Sequence, residues 1–291
     1  MWMNLIVAYI KIASKDIDAA AELYSKKMYP HAIYFVYQSL EKLMKAQLLS
    51  HHVVTSEKLK HDIKHNLFAG FAEYWRWNQM LWEGYRKTFN DPEFKELYER
   101  LESDKDADPI LKTDPNITIK TIDKHIQELN KNAKDRNRKP MLPENAVKRL
   151  DSVYDETTQL CTQEQEKYRG YMVGLKERLA TAATDDSKKR INDSIEMMEN
   201  MSGYIQGGTI SRYVLEVTQE LIFVLPNQEE LRYPEFKPLE TYDENHPLTQ
   251  SLGRIIWHLK KASTFMSQLD FSKWEDKKWG EIDADLIKSD N

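Results

Sequence analysis

The sequence predicts an all-α protein, and three observations lead to this fold class. Apolar residues recur at intervals of three and four along most of the chain, as they do on one face of a helix. The 291 residues include only 9 Gly and 10 Pro, which are too few for the many turns of an all-β fold. The 7 Trp and 15 Tyr argue against a disordered chain. We therefore expect a packed bundle of helices.

Two amphipathic helices open the chain and are expected to form an antiparallel hairpin. The first apolar stripe ends before Tyr29-Pro30, and Pro30 suits the first turn of the next helix, where its missing N–H is not needed. The two stripes consist of Ile10, Ala13, Ile17, Ala20 and Tyr24, and of Ile33, Tyr37, Leu40, Met44 and Leu48.

An aromatic-rich helix is predicted next, from near Leu59 to Phe89. Trp75, Trp77 and Trp82 cannot all lie on one narrow stripe of this helix. Some of them therefore either form an interface with a partner or are covered by the segment that follows.

Helices also dominate the second half of the chain. A long one is expected over residues 143–182, and a shorter one ends near Met201. Glycines at 203, 207 and 208 then indicate a turn before another helix at residues 210–225. The Pro-rich residues 226–248 predict an ordered loop. The last helix carries the stripe Leu252, Ile255, Leu259, Ala262, Met266 and Leu269.

Composition and missing motifs exclude several classes of function. The net charge of -5 excludes a surface that is basic throughout, although a local basic patch is compatible with it. The single Cys161 excludes a disulfide framework and a Cys-based zinc site, and it fits a reduced, cytoplasmic setting. The sequence contains no Gly-rich phosphate loop, no His-Glu-x-x-His and no Gly-x-Ser-x-Gly. We expect no cofactor, no metal, no signal peptide and no membrane span.

Polar residues of the second and third helices are the first candidates for a site. Gln38, Glu41, Lys42 and Lys45 share one side of a helix, so they form either a solvated face or a preset cluster that holds a phosphate. His61 lies one helical turn before His65, but two histidines without a third ligand are more typical of surface or packing residues than of a metal site.

Arg254 and His258 lie one turn apart on the last helix. A guanidinium bound to phosphate and an imidazole that moves a proton suffice for RNA cleavage without metal, although a simple surface pair has the same spacing. In the preceding loop, Arg232 and Tyr233 offer a charge and a ring to a nucleotide, or they merely pack the loop. The basic run at residues 131–139 lacks interleaved aromatics and is more typical of a solvated turn.

Several of these residues also fit a known family pattern. Residues 59–67 (LKHDIKHNL) and 230–236 (ELRYPEF) resemble the His-Asp segment and the Arg-Tyr-Pro element of the HEPN family, and residues 253–269 fit its final helix. The two N-terminal helices resemble the family's paired-helix motif at Ala13, Asp16, Ala20, Tyr29, Ala32, Gln38, Glu41, Lys42, Lys45 and Ala46.

The resemblance implies an antiparallel helical bundle built from residues 1–90 and 206–291, with a helical subdomain inserted over residues 91–205. It also implies a nucleotide- or RNA-binding protein of a toxin–antitoxin or phage-defence system, with a nucleotidyltransferase as partner and a homodimer as assembly. The expected contacts with the nucleotide or RNA are Gln38, Lys42, Lys45, His61, Arg232 and Tyr233.

Two alternative functions stay open from the sequence. Many HEPN proteins are metal-independent ribonucleases with an Arg-x4–6-His motif, whereas Arg254-x3-His258 is one residue short of it. The first alternative is therefore a metal-independent endoribonuclease in which Arg254 and His258 are the catalytic pair. The second is a helical scaffold or dimerisation module without a ligand.

Overall fold

The computed structural model describes residues 2–89, 115–135, 140–182, 184–226 and 239–269. Within these ranges the chain is helical and contains no strand, so the predicted all-α class is confirmed. The chain divides into two compact units: a large unit of Met3–Leu43 with Pro140–Asn291, and a small unit of Met1–Trp2 with Met44–Lys139. The predicted boundaries at residues 90 and 205 stay a prediction.

The large unit begins with the expected helical hairpin of α1 (Trp2–Ser25) and α2 (Tyr29–Ser50), of which α2 as far as Leu43 belongs to this unit. The connecting turn bends at Lys27, whose φ is 59°. All residues of the two predicted stripes are buried except Tyr24, which is half-buried. The hairpin therefore buries its apolar faces. Gly253 brings a later helix close to Tyr24, because a Cβ at Gly253 would lie 3.3 Å from the ring of Tyr24.

A second, longer hairpin follows in the large unit. It consists of α6 (Pro143–Thr181) and α7 (Asp185–Val224), joined by a turn in which the Thr184 side chain accepts a hydrogen bond from the Ser187 N–H. Arg149 near the start of α6 pairs with Glu216 and Glu220 near the end of α7, so the two helices are antiparallel. The final helix α8 (Pro247–Ser267) packs against both of them. Its predicted stripe is buried from Leu252 to Met266.

The predicted turn at the three glycines does not occur, because α7 continues through residues 203–208. A glycine inside a helix costs only about 1 kcal/mol relative to alanine, and packing along a 40-residue helix outweighs this. No neighbour lies within 4 Å of a Cβ placed on Gly208, so no close approach requires glycine there.

The small unit contains α3 (Ser56–Lys58), a π-helical turn (Leu59–Ile63), α4 (Leu67–Phe89) and α5 (Pro115–Lys134). The sequence predicts one helix over most of the first three elements. The chain instead breaks at Lys64, whose φ is 50°, and Asn66 caps α4 by accepting a hydrogen bond from the Ala69 N–H. Gly70 lies close to Met44, since a Cβ at this position would lie 2.5 Å from the Met44 Cε and the methionine side chain would have to shift.

The helices α4 and α5 of the small unit are antiparallel. Asn66 at the start of α4 donates to the carbonyl of Ala133 near the end of α5, and Gln79 farther along α4 donates to Asp123. No helix in the described part of the chain is long and apolar enough to cross a membrane.

Candidate functional site

The predicted pair on α8 converges on a carboxylate that α6 supplies. Arg254 donates from Nε to the Asp151 Oδ1 at 2.8 Å, and its Nη2 lies 2.6 Å from the same oxygen. The His258 Nε2 also lies 2.9 Å from this oxygen. A carboxylate only accepts hydrogen bonds, so the Nε2 of His258 carries a proton and three N–H groups meet at one oxygen.

Tyr213 of α7 satisfies the other ring nitrogen of His258. Its hydroxyl lies 2.8 Å from the Nδ1. In a neutral ring with the proton on Nε2, the Nδ1 is an acceptor, so the Tyr213 hydroxyl donates. Both side chains are fully buried. The resulting chain of hydrogen bonds from Tyr213 through His258 to Asp151 connects α7, α8 and α6.

Burial determines the protonation states of His258 and Tyr213. It lowers the pKa of His258 from 6.5 to about 4, because removal from water disfavours the imidazolium. The hydrogen bond and charge of Asp151 oppose this shift in pKa, and the charge of Arg254 adds to it. Burial likewise raises the pKa of Tyr213, with a smaller contribution from Tyr154. At neutral pH the interior of the site is therefore uncharged, and its charges lie on Asp151 and Arg254.

A surface of cations and aromatic rings adjoins the ion pair, and we call it the cation–aromatic surface: Arg254, Trp257, Lys261, Tyr154 and Phe265. The guanidinium of Arg254 lies 3.9 Å from the centroid of the Trp257 ring, and the Lys261 Nζ lies 5.3 Å from it. Tyr154 contacts Trp257 edge-on at 4.7 Å and stacks on Phe265 at 6.1 Å. Cations this close to a ring are held by its quadrupole, so Arg254 has both a ring beneath it and a carboxylate at its edge.

A shallow groove of about 410 Å³ lies along α6 beside this surface. It begins at Tyr154 and is lined by Asp155, Thr158, Gln159, Thr162 and Gln163. These residues lie on one side of the helix, since their spacing follows the helical repeat.

Two residues of the predicted cluster on α2, Gln38 and Lys42, are in contact. In the large unit, the Lys42 Nζ donates to the Gln38 Oε1 at 2.6 Å and lies 3.3 Å from the Asp16 Oδ2 on α1. The Gln38 Nε2 is buried without a hydrogen-bond partner. Lys42 thus carries a charge that Asp16 already balances, at a position only 17% exposed.

Four predicted contacts remain. In the small unit, Lys45 is buried and His61 is exposed on the π-helical turn. Arg232 and Tyr233 lie outside the described residues. The role of all these residues in binding stays a prediction.

The aromatic helix α4 is partly covered by α5 of its own unit. The Trp75 ring packs edge-on against His125 with centroids 5.0 Å apart, and Trp77 contacts His51 at 5.6 Å. Burial lowers the pKa of His51 to about 4, so this histidine is neutral at physiological pH. Trp82 has Tyr85 as its aromatic neighbour at 5.5 Å. All three rings are half-buried, and of them Trp75 contacts the segment that follows.

Sequence reasoning missed Asp151 and Tyr213. Tyr213 belongs to an apolar stripe, in which nothing in the sequence indicates a partner for its hydroxyl. Asp151 follows Leu150 directly and precedes Tyr154 by three residues, so a carboxylate next to an apolar stripe is the one signal that the sequence offers. In the ranges that the structure describes, no group of three or more His, Cys, Asp or Glu is arranged to hold a metal ion.

Comparison with known proteins gives one family. The model of the HEPN domain matches residues 6–74, which is less than half of the chain. No curated protein and no solved structure matches the chain. The match begins in α1 and ends in α4, so it includes the helical hairpin whose motifs carry the resemblance. The chain therefore contains a HEPN domain, an all-α domain, matched over residues 6–74.

Proposed function

We propose that the protein binds a nucleotide or single-stranded RNA, as a component of a toxin–antitoxin or phage-defence system. A HEPN domain implies a function related to nucleotides or RNA. The observation that carries the finer proposal is the cation–aromatic surface of α8 and α6. Positive side chains interleaved with rings are typical of single-strand binding, since the rings stack on bases while the cations contact phosphates.

The geometry of Arg254 favours binding in particular. Its Cζ lies 3.9 Å from the centroid of the Trp257 ring, and its side chain is 44% exposed. A guanidinium held over a ring and open to solvent offers a face on which a base stacks and N–H groups for a phosphate. The adjoining groove supplies hydroxyl and amide groups from Thr158, Gln159 and Gln163 along the same helix.

Titration with RNA tests this proposal. We expect the wild type to bind a fluorescent 12-nucleotide single-stranded RNA or a nucleoside triphosphate, and Lys261→Ala to weaken binding several-fold. The slope of log affinity against log salt should fall by about 0.7 for every phosphate that the variant no longer neutralises. The control is Lys148→Ala. It removes the same positive charge from a side chain of α6 that is 70% exposed and lies outside the cation–aromatic surface. Absence of binding to every probe would remove the proposal.

The predicted contacts Gln38, Lys42, Lys45, His61, Arg232 and Tyr233 belong to the same proposal. His61→Ala is the cleanest variant among the described ones, because His61 is exposed and its loss breaks no buried pair. Lys42→Met, in contrast, leaves Asp16 without its counter-charge, so binding must be compared with folding in that variant.

The second candidate is a metal-independent endoribonuclease that uses Arg254 and His258. The observation in its favour is the shared contact with Asp151, which fixes the imidazole beside the guanidinium. Against it, His258 is fully buried and both of its ring nitrogens are hydrogen-bonded within the protein. RNA cleavage in the presence of a chelator tests this candidate. If the protein is such a ribonuclease, the wild type cleaves RNA and His258→Ala does not. Equal activity of the two proteins, or no activity in the wild type, would exclude it.

We further propose a cytoplasmic homodimer that pairs with a nucleotidyltransferase. The lone Cys161 fits a reducing compartment, and the partner follows from the HEPN resemblance. Sedimentation equilibrium of the purified protein tests the dimer, and a monomer at micromolar concentration contradicts it. Co-purification with a nucleotidyltransferase encoded beside it tests the pairing.

A further inference from the structure

The contact between Asp151 and the α8 pair has the form of an occupied anion site. Three N–H donors point at one oxygen: the Nε and Nη2 of Arg254 and the Nε2 of His258. The N–H groups of a guanidinium bind the oxygens of a phosphate as well as those of a carboxylate. The donors are therefore arranged to bind an anion. In this structure that anion is the carboxylate of Asp151.

The ion pair of the site is partly open to solvent. The side chains of Arg254 and Asp151 are 44% and 38% exposed, whereas His258 is fully buried behind them. An ion pair at such a position contributes little net free energy, because solvent screens it. A ligand oxygen can thus reach the guanidinium from outside, and the contact that it displaces is a weak one.

We infer that Asp151 is an internal competitor: it fills the anion site of Arg254 and His258, and a phosphate oxygen of the ligand must displace it. This inference rests on the proposed binding of a nucleotide or RNA. It adds a specificity-determining residue of α6 that neither the HEPN match nor the sequence motifs include. The donor set remains fixed during the exchange, since Trp257 supports the guanidinium from below and Tyr213 holds the imidazole from behind.

A purely structural role for Asp151 predicts the opposite sign. If Asp151 merely ties α6 to α8, its loss loosens Arg254, and ligand binding becomes weaker or stays unchanged. If Asp151 competes with the ligand, its loss strengthens binding. The direction of the change in affinity therefore separates the two roles.

The decisive variant is Asp151→Asn, which keeps an oxygen for the three donors but removes the negative charge. With the 12-nucleotide RNA we expect about fivefold tighter binding, which corresponds to about 1 kcal/mol, the Coulomb energy of one charge at contact distance in water. The matched control is Asp193→Asn, which removes the same charge from an exposed position on α7 outside the groove and the cation–aromatic surface, and it should change affinity less than twofold.

Each outcome decides the inference. An affinity of Asp151→Asn equal to or weaker than that of Asp193→Asn overturns it while leaving the proposed function intact. If neither the wild type nor Asp151→Asn binds any RNA or nucleotide, the proposed function falls and the inference falls with it. If Asp151→Asn does not fold, the wild type provides the test through the Nε–H resonance of Arg254, assigned by its loss in Arg254→Lys. This resonance must shift on saturation with RNA, and an unchanged resonance overturns the inference.

Discussion

Removal of the Tyr213 hydroxyl is the sharpest test of the buried hydrogen-bond chain. Tyr213→Phe deletes one oxygen and keeps the ring, so the packing against Phe265 and Tyr154 is retained. The variant leaves the Nδ1 of His258 buried without a donor, at a position that water does not reach. A buried polar group without a partner costs about 1–3 kcal/mol, so we expect the free energy of unfolding to fall by about 2 kcal/mol.

Urea unfolding followed by circular dichroism measures this loss. The control is Tyr171→Phe, which removes the same hydroxyl from a side chain that is 65% exposed and should change stability by less than about 0.5 kcal/mol. The double variant Tyr213→Phe/His258→Phe should cost less than the sum of the two single variants, by at least about 1 kcal/mol, because no polar group then remains unpaired. Equal stabilities of Tyr213→Phe and Tyr171→Phe would refute the hydrogen bond and the tautomer assigned to His258.

Three further predictions concern pH and glycine. The pKa of His258 is about 4 in the folded protein against 6.5 for an ordinary histidine. As the pH falls, the unfolded chain is therefore protonated at this histidine before the folded protein is. Stability is therefore constant above pH 6.5 and falls between pH 6.5 and 4, by on the order of 3 kcal/mol for this histidine, and urea titrations of His258→Asn should show a smaller fall. Gly208→Ala should stabilise the protein by about 1 kcal/mol if α7 is continuous, whereas a lower denaturation midpoint would indicate a turn. Gly70→Ala should bring none of this gain, because the new Cβ displaces the buried Met44 side chain, and a midpoint raised as much as in Gly208→Ala would contradict that packing.

The helices of this protein are largely predictable because their apolar stripes are regular. The stripe from Leu252 to Met266 is buried as expected, and the long helix begins at Pro143 as the sequence indicates. The errors occur where local and tertiary signals conflict. Three glycines favour a turn locally, but the packing of α7 against α6 outweighs their small cost. The helix breaks at Lys64 with a positive φ, although position 64 is neither glycine nor proline, so the sequence does not indicate a turn there.

Only the residues that α8 contributes to the candidate site could be predicted from the sequence. Arg254 and His258 are visible as a pair, because residues four apart share a helix face. Asp151 is 103 residues distant from Arg254, and no periodicity connects two positions on different helices. The packing of α8 against α6 alone brings them together. Residues with a shared function on one helix can thus be found from spacing, whereas their partners on other helices require the fold.

The unusual spacing of the α8 pair explains why one carboxylate is able to hold both residues. Each residue of an α-helix turns by about 100°, so positions four apart differ by about 40° and face the same side. Arg254 and His258 have this spacing and meet at a single oxygen of Asp151. One additional residue between them, as in the family's ribonuclease motif, would rotate the histidine by about another 100° and away from that oxygen. The spacing that departs from the ribonuclease motif is therefore the spacing that the contact with Asp151 requires, and both features favour a pair that holds an anion over a pair that cleaves RNA.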